Sequence, residues 1–348
     1  MSAESPVGRR TPGKEDRIRR VSVIAPMWNE ADHVADVVAD VAAQDFEGEV
    51  ELLVADGRST DGSVARLEEA AKLNGLVVTI LDNPNRWVSH ALNACIEAAQ
   101  GDLIVRIDCH SRYPSDYLRR CVNAAEETGA ANVGGVFVPR GRTPTERAVG
   151  CAMDSPFGGI HWTREGSSER VEVDTVPYGA FRPQAFEQAG LFDESLVRNQ
   201  DDELNLRLRL SGGRIVLDPS IRIYYTPRGS YRRVFRQYYE YGFWKPIVMK
   251  KHGRVVSMRS LVPVGFVSSL VVLASLAPWV APAAALLGGE LALYGAGAVG
   301  FGAAALRRSK EQWRLLPRVI AAFPTFHVAY GLGTLAGIGR ALRSRAAA

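Results

Sequence analysis

The sequence predicts an α/β domain followed by a helical membrane region. Short apolar runs alternate with amphipathic helical segments from Val21 to Asp108, and such alternation favours parallel strands with helices on both faces of the sheet. Polar residues follow the end of each apolar run. Residues 261–306 then carry one charged side chain, that of Glu290, over a length that suits two membrane spans of about 20 residues each.

Short apolar runs predict the first four strands, and apolar residues at helical spacing predict the helices between them. Val34, Val37, Val38 and Val41 recur at helical spacing, whereas the strands are short apolar runs bounded by turn residues. The predicted strands are 21–26, 50–57, 76–83 and 102–108, and the predicted helices are 30–44, 63–73 and 90–100. A sheet of this kind binds its ligands beyond the carboxyl ends of its strands.

The pattern is looser after residue 110. Further strands are predicted within 132–139, 174–183 and 214–228, and a helix is predicted over 201–210. Residues 21–245 therefore form the predicted globular domain. The chain's four cysteines have neither CxxC pairs nor framework spacing, so we expect reduced thiols rather than a zinc site or a disulfide scaffold.

Charge and the polar N-terminus indicate a cytoplasmic domain. Residues 1–20 form a basic segment without the apolar stretch of a secretory signal, and we expect them to be a disordered tail. The formal net charge is +4, and the basic residues cluster at 228–259 and 307–318, beside the apolar tracts. This distribution does not indicate a nucleic-acid partner.

The predicted membrane region comprises a basic juxtamembrane linker at 246–260 and transmembrane helices within 261–340. Lys and Arg residues on both sides of the first apolar tract put both its ends in the cytoplasm. A third tract, 319–338, would carry "RALRSR" outside if it spanned, so spanning, re-entrant and interfacial placements all stay open for it. The alternative for the first tract is a buried hairpin of a soluble protein.

Chemistry-bearing side chains follow each predicted strand. Asn29 and Glu30 follow the first, Asp56 the second, Arg86 the third, and Asp108 with His110 the fourth. Alternate residues at a strand end project to the same side, so Asp108 and His110 are candidates for one divalent cation. Ordinary turn and capping chemistry explains any one of these residues. Their recurrence at one edge of the sheet predicts a single cleft.

The order of these motifs resembles that of family 2 glycosyltransferases with the GT-A fold, which has a Rossmann-like mixed sheet. The family reads P-x-x-N-E, D-G-S-T-D-G and G-D-x-I-x-x-x-D-x-D, and this chain has "PMWNE", "DGRSTDG" and "GDLIVRIDCH". Arg58 is an extra residue, and His110 replaces the second Asp. These departures, with "NQDDEL" and "YEYGFWK", are similar to membrane-bound glucosyltransferases of succinoglycan-type exopolysaccharide assembly. The likeness covers residues 21–245 and the apolar tail.

The resemblance implies roles on the donor side. Asp56 would bind the base of a nucleotide-sugar, most simply a UDP-sugar, and the loop holding Pro26, Asn29 and Glu30 would close over base and ribose. Arg86 is counted with these donor-binding residues. Asp108 would meet the ribose or the metal, and His110 would bind a divalent cation. An imidazole suits Mn²⁺ better than Mg²⁺, so both metals stay open.

The resemblance also implies residues on the acceptor side. The family motif E-D-x-D-L corresponds here to Gln200 through Leu204, which makes Asp201 the catalytic base and Asp202 the second candidate. The alternative is an acidic first turn of a helix, which the helix dipole favours. Gly179 lies where a backbone approaches a sugar closely. The processive motif Q-x-x-R-W fails after Gln237, which favours transfer of a single sugar.

The segment that precedes the membrane tract mixes basic and aromatic residues, a composition typical of a helix at a bilayer surface. Arg236, Gln237 and Trp244 are its candidates for contact with a lipid-linked acceptor. Basic residues that only fix the membrane topology are the alternative.

The resulting prediction is an inverting, metal-dependent glycosyltransferase in the cell membrane, multi-pass, with its catalytic domain in the cytoplasm. It would add one sugar to a polyprenyl-diphosphate-linked glycan, beside other polysaccharide-assembly proteins. The alternatives are a polyprenyl-phosphate sugar synthase and a non-catalytic nucleotide-sugar-binding protein. A dinucleotide oxidoreductase is disfavoured because no G-x-G-x-x-G follows the first strand.

Overall fold

The computed structural model describes residues 17–158, 169–255 and 258–343. These residues divide into two compact units, each described by itself. The first holds 17–138 and 169–225, and the second holds 139–158, 226–255 and 258–343.

The first unit begins with a parallel half-sheet whose strands alternate with helices. Its elements are β1 (Arg20–Met27), α1 (Val34–Ala42), β2 (Glu49–Asp56), α2 (Ser63–Asn74), β3 (Val78–Asp82), α3 (Val88–Ala98) and β4 (Leu103–Arg106). The strands pair in parallel in the order β3-β2-β1-β4. The four valines of α1 are buried, so the predicted core face of this helix is confirmed.

Antiparallel strands complete a mixed sheet. The remaining elements up to residue 225 are β5 (Ser111–Arg112), α4 (Tyr117–Thr128), β6 (Asn132–Pro139), α5 (Pro144–Met153), β7 (Val171–Glu172), β8 (Ala180–Phe181), α6 (Pro183–Ala189), α7 (Gln200–Leu210) and β9 (Ile215–Tyr225). Among the described residues, nine strands form one sheet, and β8 pairs antiparallel with both β4 and β6. The predicted mixed α/β sheet is confirmed.

The N-terminal segment differs from the predicted tail at its last residues. Residues 1–16 lie outside the described part of the chain, but Ile18 is buried in the core and Arg20 begins β1. The Ile18 N–H donates to Glu126 at 2.7 Å, and the Arg19 and Arg20 N–H groups donate to Asp102. These bonds and the apolar Ile18 side chain order residues 18–20, so the prediction of a disordered tail up to residue 20 is wrong there.

The second unit is helical and contains α8 (Tyr231–His252), α9 (Val262–Leu276), α10 (Ala281–Arg308), α11 (Leu316–Arg343) and α5. α8 starts at Ser230, whose side chain caps the helix, and stops at Gly253, which has a left-handed φ of 62°. The predicted boundary at residue 245 therefore falls inside a continuous helix, because the start and stop signals lie elsewhere. Residues 246–252 are helix rather than linker.

Within the described part of the chain, three helical segments are long and apolar enough to cross a membrane: Met258–Leu276, Ala281–Arg308 and Trp313–Arg343. In the first two, 11% and 6% of the most apolar window is buried, against 44% in the third. The third segment therefore differs from the other two in being covered by protein along one side.

α8 covers α11, and glycines bring the two backbones together. A Cβ at Gly242 would overlap the Tyr330 carbonyl, and one at Gly333 or Gly337 would overlap the backbone of α8. At one end the Tyr231 hydroxyl donates to the Arg318 carbonyl at 2.8 Å, and at the other the Lys250 ammonium donates to the Ala341 carbonyl at 2.7 Å. The two helices thus run side by side in the same direction.

The segment 139–158 packs with the membrane helices, although the sequence assigns it to the α/β domain. Thr143 and Glu146 form a capping box at the start of α5, and the buried side chains of α5 join the core of the second unit. Phe157 lies against a group of rings in α10 and α11: Tyr294, Phe301, Phe323 and His327. Its carbonyl is 2.8 Å from His327 Nε2.

Candidate functional site

The loops after β1 and β2 are tied together by short hydrogen bonds around Asp56. The Asn29 N–H donates to Ser59 Oγ at 2.8 Å, and the Thr60 N–H donates back to Asn29 Oδ1 at 2.9 Å. Ser59 in turn gives both its N–H and its hydroxyl to the Asp56 carboxylate, at 3.0 and 2.6 Å. Asp56 and Asn29 are therefore held together, as their positions after neighbouring strands predict.

Left-handed backbone conformations concentrate near this edge of the sheet. Five non-glycine residues of the first unit have φ between 54° and 61°: Asn29, Arg58, Arg86, Tyr178 and Asn199. Such conformations cost free energy and tend to persist at functional sites. The first three follow β1, β2 and β3, and the others precede β8 and α7.

The outer side of these loops carries aromatic and basic groups. The Arg86 guanidinium lies 6.0 Å from the ring of Trp28, which is 52% exposed. Arg58, the extra residue, pairs with both oxygens of Asp82 at 2.9 and 3.1 Å. Pro26 is not in the loop itself but inside β1, where it is in register with Ala55.

Asp108 and His110 meet directly beyond β4. His110 Nδ1 lies 2.9 Å from Asp108 Oδ1 and 3.6 Å from Glu30 Oε1. Burial alone would raise the pKa of Asp108, but the charge and hydrogen bond of His110, with smaller effects of Arg106 and Tyr178, lower it to about 2. Burial alone would lower the pKa of His110, but Asp108 and Glu30 raise it to about 10.

The donor atoms of Asp108 and His110 fit a divalent cation as a pair. A carboxylate oxygen and an imidazole nitrogen 2.9 Å apart lie close enough to bind one ion, and this mixed set suits Mn²⁺. Within the described ranges, no group of three or more His, Cys, Asp or Glu side chains is arranged to hold a metal. The role of these two side chains as metal ligands therefore stays a prediction.

Asp201 lies in the first turn of α7 and pairs with Arg106, the last residue of β4. The Arg106 side chain is 5% exposed and that of Asp201 is 32% exposed. Burial raises the pKa of Asp201, and the Arg106 charge opposes this rise. Arg106 therefore holds one carboxylate oxygen of Asp201, while part of the Asp201 side chain is exposed to solvent.

Gly179 lies where the chain leaves no room for a side chain. Its φ is 22°, and a Cβ there would come within 2.5 Å of Asn132 Oδ1 and 2.6 Å of the Phe181 ring. The Gly179 carbonyl accepts the Arg106 N–H at 3.0 Å. Gly179 thus fixes the backbone beside Arg106.

The predicted acceptor residues of the juxtamembrane segment lie in the second unit, on α8. Arg236 is 80% exposed at its side chain and 4.0 Å from Glu240, and Gln237 donates to the Tyr241 hydroxyl at 2.8 Å. Trp244 packs on Phe243, with ring centroids 5.8 Å apart. Asp202, by contrast, follows Asp201 in the first unit.

Sequence reasoning missed Arg106 and Tyr178. Arg106 is a charge inside the apolar run "LIVRI", and an arginine in a buried strand requires a partner. That pattern was the available signal. The partner, Asp201, lies 95 residues away and was not visible from the pattern.

Comparisons with known proteins identify the family of this chain. The family model for glycosyl transferase family 2 matches residues 22–182. The succinoglycan biosynthesis protein ExoA of Rhizobium meliloti (strain 1021) is 30% identical over 253 residues, covering 69% of this chain and 73% of that protein. Dolichyl N-acetyl-alpha-D-glucosaminyl phosphate 3-beta-D-2,3-diacetamido-2,3-dideoxy-beta-D-glucuronosyltransferase of Methanococcus voltae is 26% identical over 242 residues, covering 66% and 74%.

A solved structure shares the fold. The mannosyltransferase PcManGT from Pyrobaculum calidifontis, in complex with GDP-Man and Mn²⁺, superimposes with a TM-score of 0.64 at 21% identity, over 95% of this chain and 90% of that one. The sheet is therefore of the GT-A type. The family model and the ExoA relative show that the chain is a glycosyltransferase that belongs to family 2.

Proposed function

We propose that this glycosyltransferase is an inverting, metal-dependent enzyme that transfers one sugar from a UDP-sugar to a polyprenyl-diphosphate-linked glycan. The observation that carries the proposal is the position of two groups on either side of Arg106. The Asp108–His110 pair begins two residues after it, and Asp201 accepts its hydrogen bond. A donor site and a proton acceptor thus adjoin the end of one strand.

The donor nucleotide binds over the loops after β1, β2 and β3. Asp56 accepts the N–H of the base, while Asn29 and Glu30 with the backbone near Pro26 enclose the base and ribose. The Ser59 bonds that fix Asp56 support this role, because they preset the carboxylate before the nucleotide arrives. Arg86, whose guanidinium is beside the exposed Trp28 ring, provides charge for the diphosphate.

Asp108 and His110 hold the divalent metal, and Mn²⁺ fits their donor set. When bound, the cation stabilises negative charge on the departing nucleoside diphosphate. The mannosyltransferase with the same fold was solved with GDP-Man and Mn²⁺, which is consistent with this assignment. His110 must lose its proton to bind the ion, so metal binding and proton release are coupled.

Asp201 is the base. It takes the proton of the acceptor hydroxyl as that oxygen attacks the anomeric carbon, while the bond from this carbon to the diphosphate oxygen breaks. Attack from the face opposite the leaving group inverts the configuration. Arg106 occupies Oδ1 of Asp201, which leaves Oδ2 for the acceptor proton.

The acceptor is a glycan on a lipid diphosphate. The names of two relatives refer to succinoglycan biosynthesis and to a dolichyl N-acetyl-alpha-D-glucosaminyl phosphate, and the second of these supports a lipid-linked sugar as the acceptor. The exposed Arg236 on α8, with Gln237 and Trp244, contacts its lipid-proximal phosphates. Radiolabelled donor offered either bare polyprenyl phosphate or a lipid-diphosphate glycan distinguishes this activity from a polyprenyl-phosphate sugar synthase, which would label the bare lipid.

The hairpin of α9 and α10 crosses the cell membrane with both ends in the cytoplasm. Few of its side chains are buried, as expected for helices that face lipid, and basic residues flank its ends: Lys250, Lys251, Arg254 and Arg259 before it, and Arg307, Arg308 and Lys310 after it. The catalytic domain precedes α8 and is cytoplasmic as well.

α11 lies in the membrane interface beside α8 and does not cross. If α11 spanned, α8 would be carried into the hydrocarbon with its charged side chains, among them Arg232, Arg233, Arg236 and Lys251, at high cost. α11 also contacts the hairpin, including the middle of α10, where the Tyr294 hydroxyl lies 2.8 Å from His327 Nδ1. Gly331 packs on Pro263 and Val267 in the first turns of α9, and Gly302 near the end of α10 packs on the start of α11.

Replacing the base tests the proposal. Asp201→Asn removes the proton acceptor while preserving shape, so kcat should fall by about 10²–10⁴-fold while UDP-sugar with Mn²⁺ still raises the melting temperature. Asp202→Asn should lower kcat by less than tenfold. Wild-type turnover in Asp201→Asn would refute the assigned base, and donor binding without any turnover by the wild type would favour a binding protein.

A further inference from the structure

Arg106 is a buried charge at the end of a core strand. Its side chain is 5% exposed, and the three preceding residues of β4 are apolar and buried. It donates to Asp201, and its Nε–H has no hydrogen-bond partner among the described residues. Burying an incompletely satisfied guanidinium is costly, so its retention requires a reason other than stability.

Structural arginines elsewhere in the same unit are better satisfied. Arg170 pairs with Asp218 at 2.6 Å and with Glu127 at 2.8 Å. Arg207 pairs with Glu203 through two nitrogens and also donates to the carbonyls of Ala189 and Leu191. In both, Nε and at least one Nη nitrogen donate hydrogen bonds, whereas Nε of Arg106 has no partner among the described residues.

An aromatic ring connects Arg106 to the donor side of the site. The guanidinium lies 5.3 Å from the Tyr178 ring centroid, a cation–π distance, and the Tyr178 hydroxyl donates to Asp108 Oδ2 at 3.3 Å. Tyr178 has a φ of 54°, a costly conformation for an aromatic residue. The carbonyl of the next residue, Gly179, accepts the Arg106 N–H. Asp201, Arg106, Tyr178 and Asp108 thus form one continuous chain of contacts.

We propose that Arg106 is a positioning residue that holds Asp201 in register with Asp108 through the ring and hydroxyl of Tyr178. This rests on the proposed role of Asp201 as base. A nucleophile and an anomeric carbon react only when they are aligned, and a misplacement of about 1 Å costs about 100-fold in rate. This chain of contacts sets the distance between Asp201, which takes the proton, and Asp108, which helps to fix the donor.

The charges that face Asp201 predict a second effect of removing Arg106, on the pH dependence of kcat. Arg106 is the cation beside it, whereas Asp202 and Asp108 add negative charge, and the Tyr178 ring lies against the Arg106 guanidinium. Without Arg106 the partly buried carboxylate would face like charges alone. The acid limb of the kcat profile would then move to higher pH by about one pH unit or more.

The experiment compares three arginine variants of the full-length protein with saturating UDP-sugar and Mn²⁺. Arg106→Met should lower kcat by about 100-fold, raise the KM of the donor by less than threefold, and move the acid limb upward. Arg106→Lys restores the charge but not the fork, so its acid limb should return towards the wild-type position while kcat recovers only partly. Arg170→Met, which removes an arginine paired with Asp218 of β9, should lower the melting temperature without moving the acid limb.

Tyr178→Phe tests the link to Asp108. Loss of the hydroxyl should raise the Mn²⁺ concentration for half-maximal activity by about tenfold, as for other groups that support a metal ligand. A wild-type kcat and acid limb in Arg106→Met would overturn the proposal. If Arg106→Met does not fold, Arg106→Lys provides the test. A wild-type kcat in Arg106→Lys would show that the guanidinium fork is not needed and would contradict the proposal. Failure of the base itself is recognised separately, as an active Asp201→Asn enzyme.

Discussion

At the residue scale, the proposed mechanism depends on the charge state of Asp201. Burial raises the pKa of this carboxyl, and Arg106 limits the rise. A base must be deprotonated to act, so activity should be lost as the pH falls through this raised pKa. We expect the acid limb of kcat to lie above the ordinary aspartate value of about 4. Measurement of kcat against pH at saturating donor and Mn²⁺ checks this, and a limb below pH 4 would contradict it.

Gly179 is a second residue whose replacement has a predictable effect. Gly179→Ala would strain a backbone of positive φ and press a Cβ on Asn132 and Phe181, so stability should fall by about 1–3 kcal/mol. Gly212→Ala is the matched control, because φ is 84° there but nothing lies within 4 Å. Thermal unfolding in detergent measures both, and equal losses would show that packing at Gly179 contributes nothing.

Some of the candidate site was accessible from sequence, and the reason is local. Asp108 and His110 are two residues apart at a strand end, so their convergence follows from backbone geometry, and the two side chains do meet. Their role as metal ligands stays a prediction. Arg106 and Tyr178 depend on partners far away in sequence, Asp201 and Asp108, and no local pattern specifies such pairs.

At the element scale, the contact of α8 with α11 depends on glycine. Gly333→Ala would drive a methyl group into the Tyr239 carbonyl on α8, so the helices would have to separate, and stability should fall by about 1–3 kcal/mol. Gly339→Ala on the same helix meets nothing within 4 Å and should be stabilising by up to about 1 kcal/mol. Thermal unfolding of both variants in detergent gives the comparison, and a neutral Gly333→Ala would contradict the close packing.

Element prediction succeeded where hydrophobic periodicity decides and failed where tertiary contacts decide. The parallel strands follow from short apolar runs, and α1 follows from apolar residues at helical spacing. The two-residue strands β5 and β7 are too short to show a period, and each forms by pairing with β9. The predicted domain boundary at residue 245 is wrong because α8 continues past it and ends at Gly253.

At the scale of the whole molecule, the proposed topology predicts which positions face the cytoplasm. The four native cysteines are buried, and burial raises the pKa of each thiol, to about 12 for Cys95, so they should not react with a maleimide. Trp279→Cys, in the exposed turn between α9 and α10, should be labelled from outside the cell. Leu342→Cys near the end of α11 should be labelled only after the membrane is opened.

The control for this labelling is Val77→Cys, at an exposed position of the catalytic domain, which should behave like Leu342→Cys. Labelling of Leu342→Cys from outside intact cells would mean that α11 crosses the membrane.

The burial of Phe157 among the rings of α10 and α11 has a consequence for how the chain is made. Residues 139–158 leave the ribosome long before Tyr294 and His327, with which Phe157 packs. This segment therefore cannot reach its final packing until α10 and α11 have been synthesised, although the sheet can fold earlier. Shortening the gene to end after residue 245 would remove those neighbours permanently. The shortened product should therefore expose apolar side chains and precipitate, even though its sheet is complete.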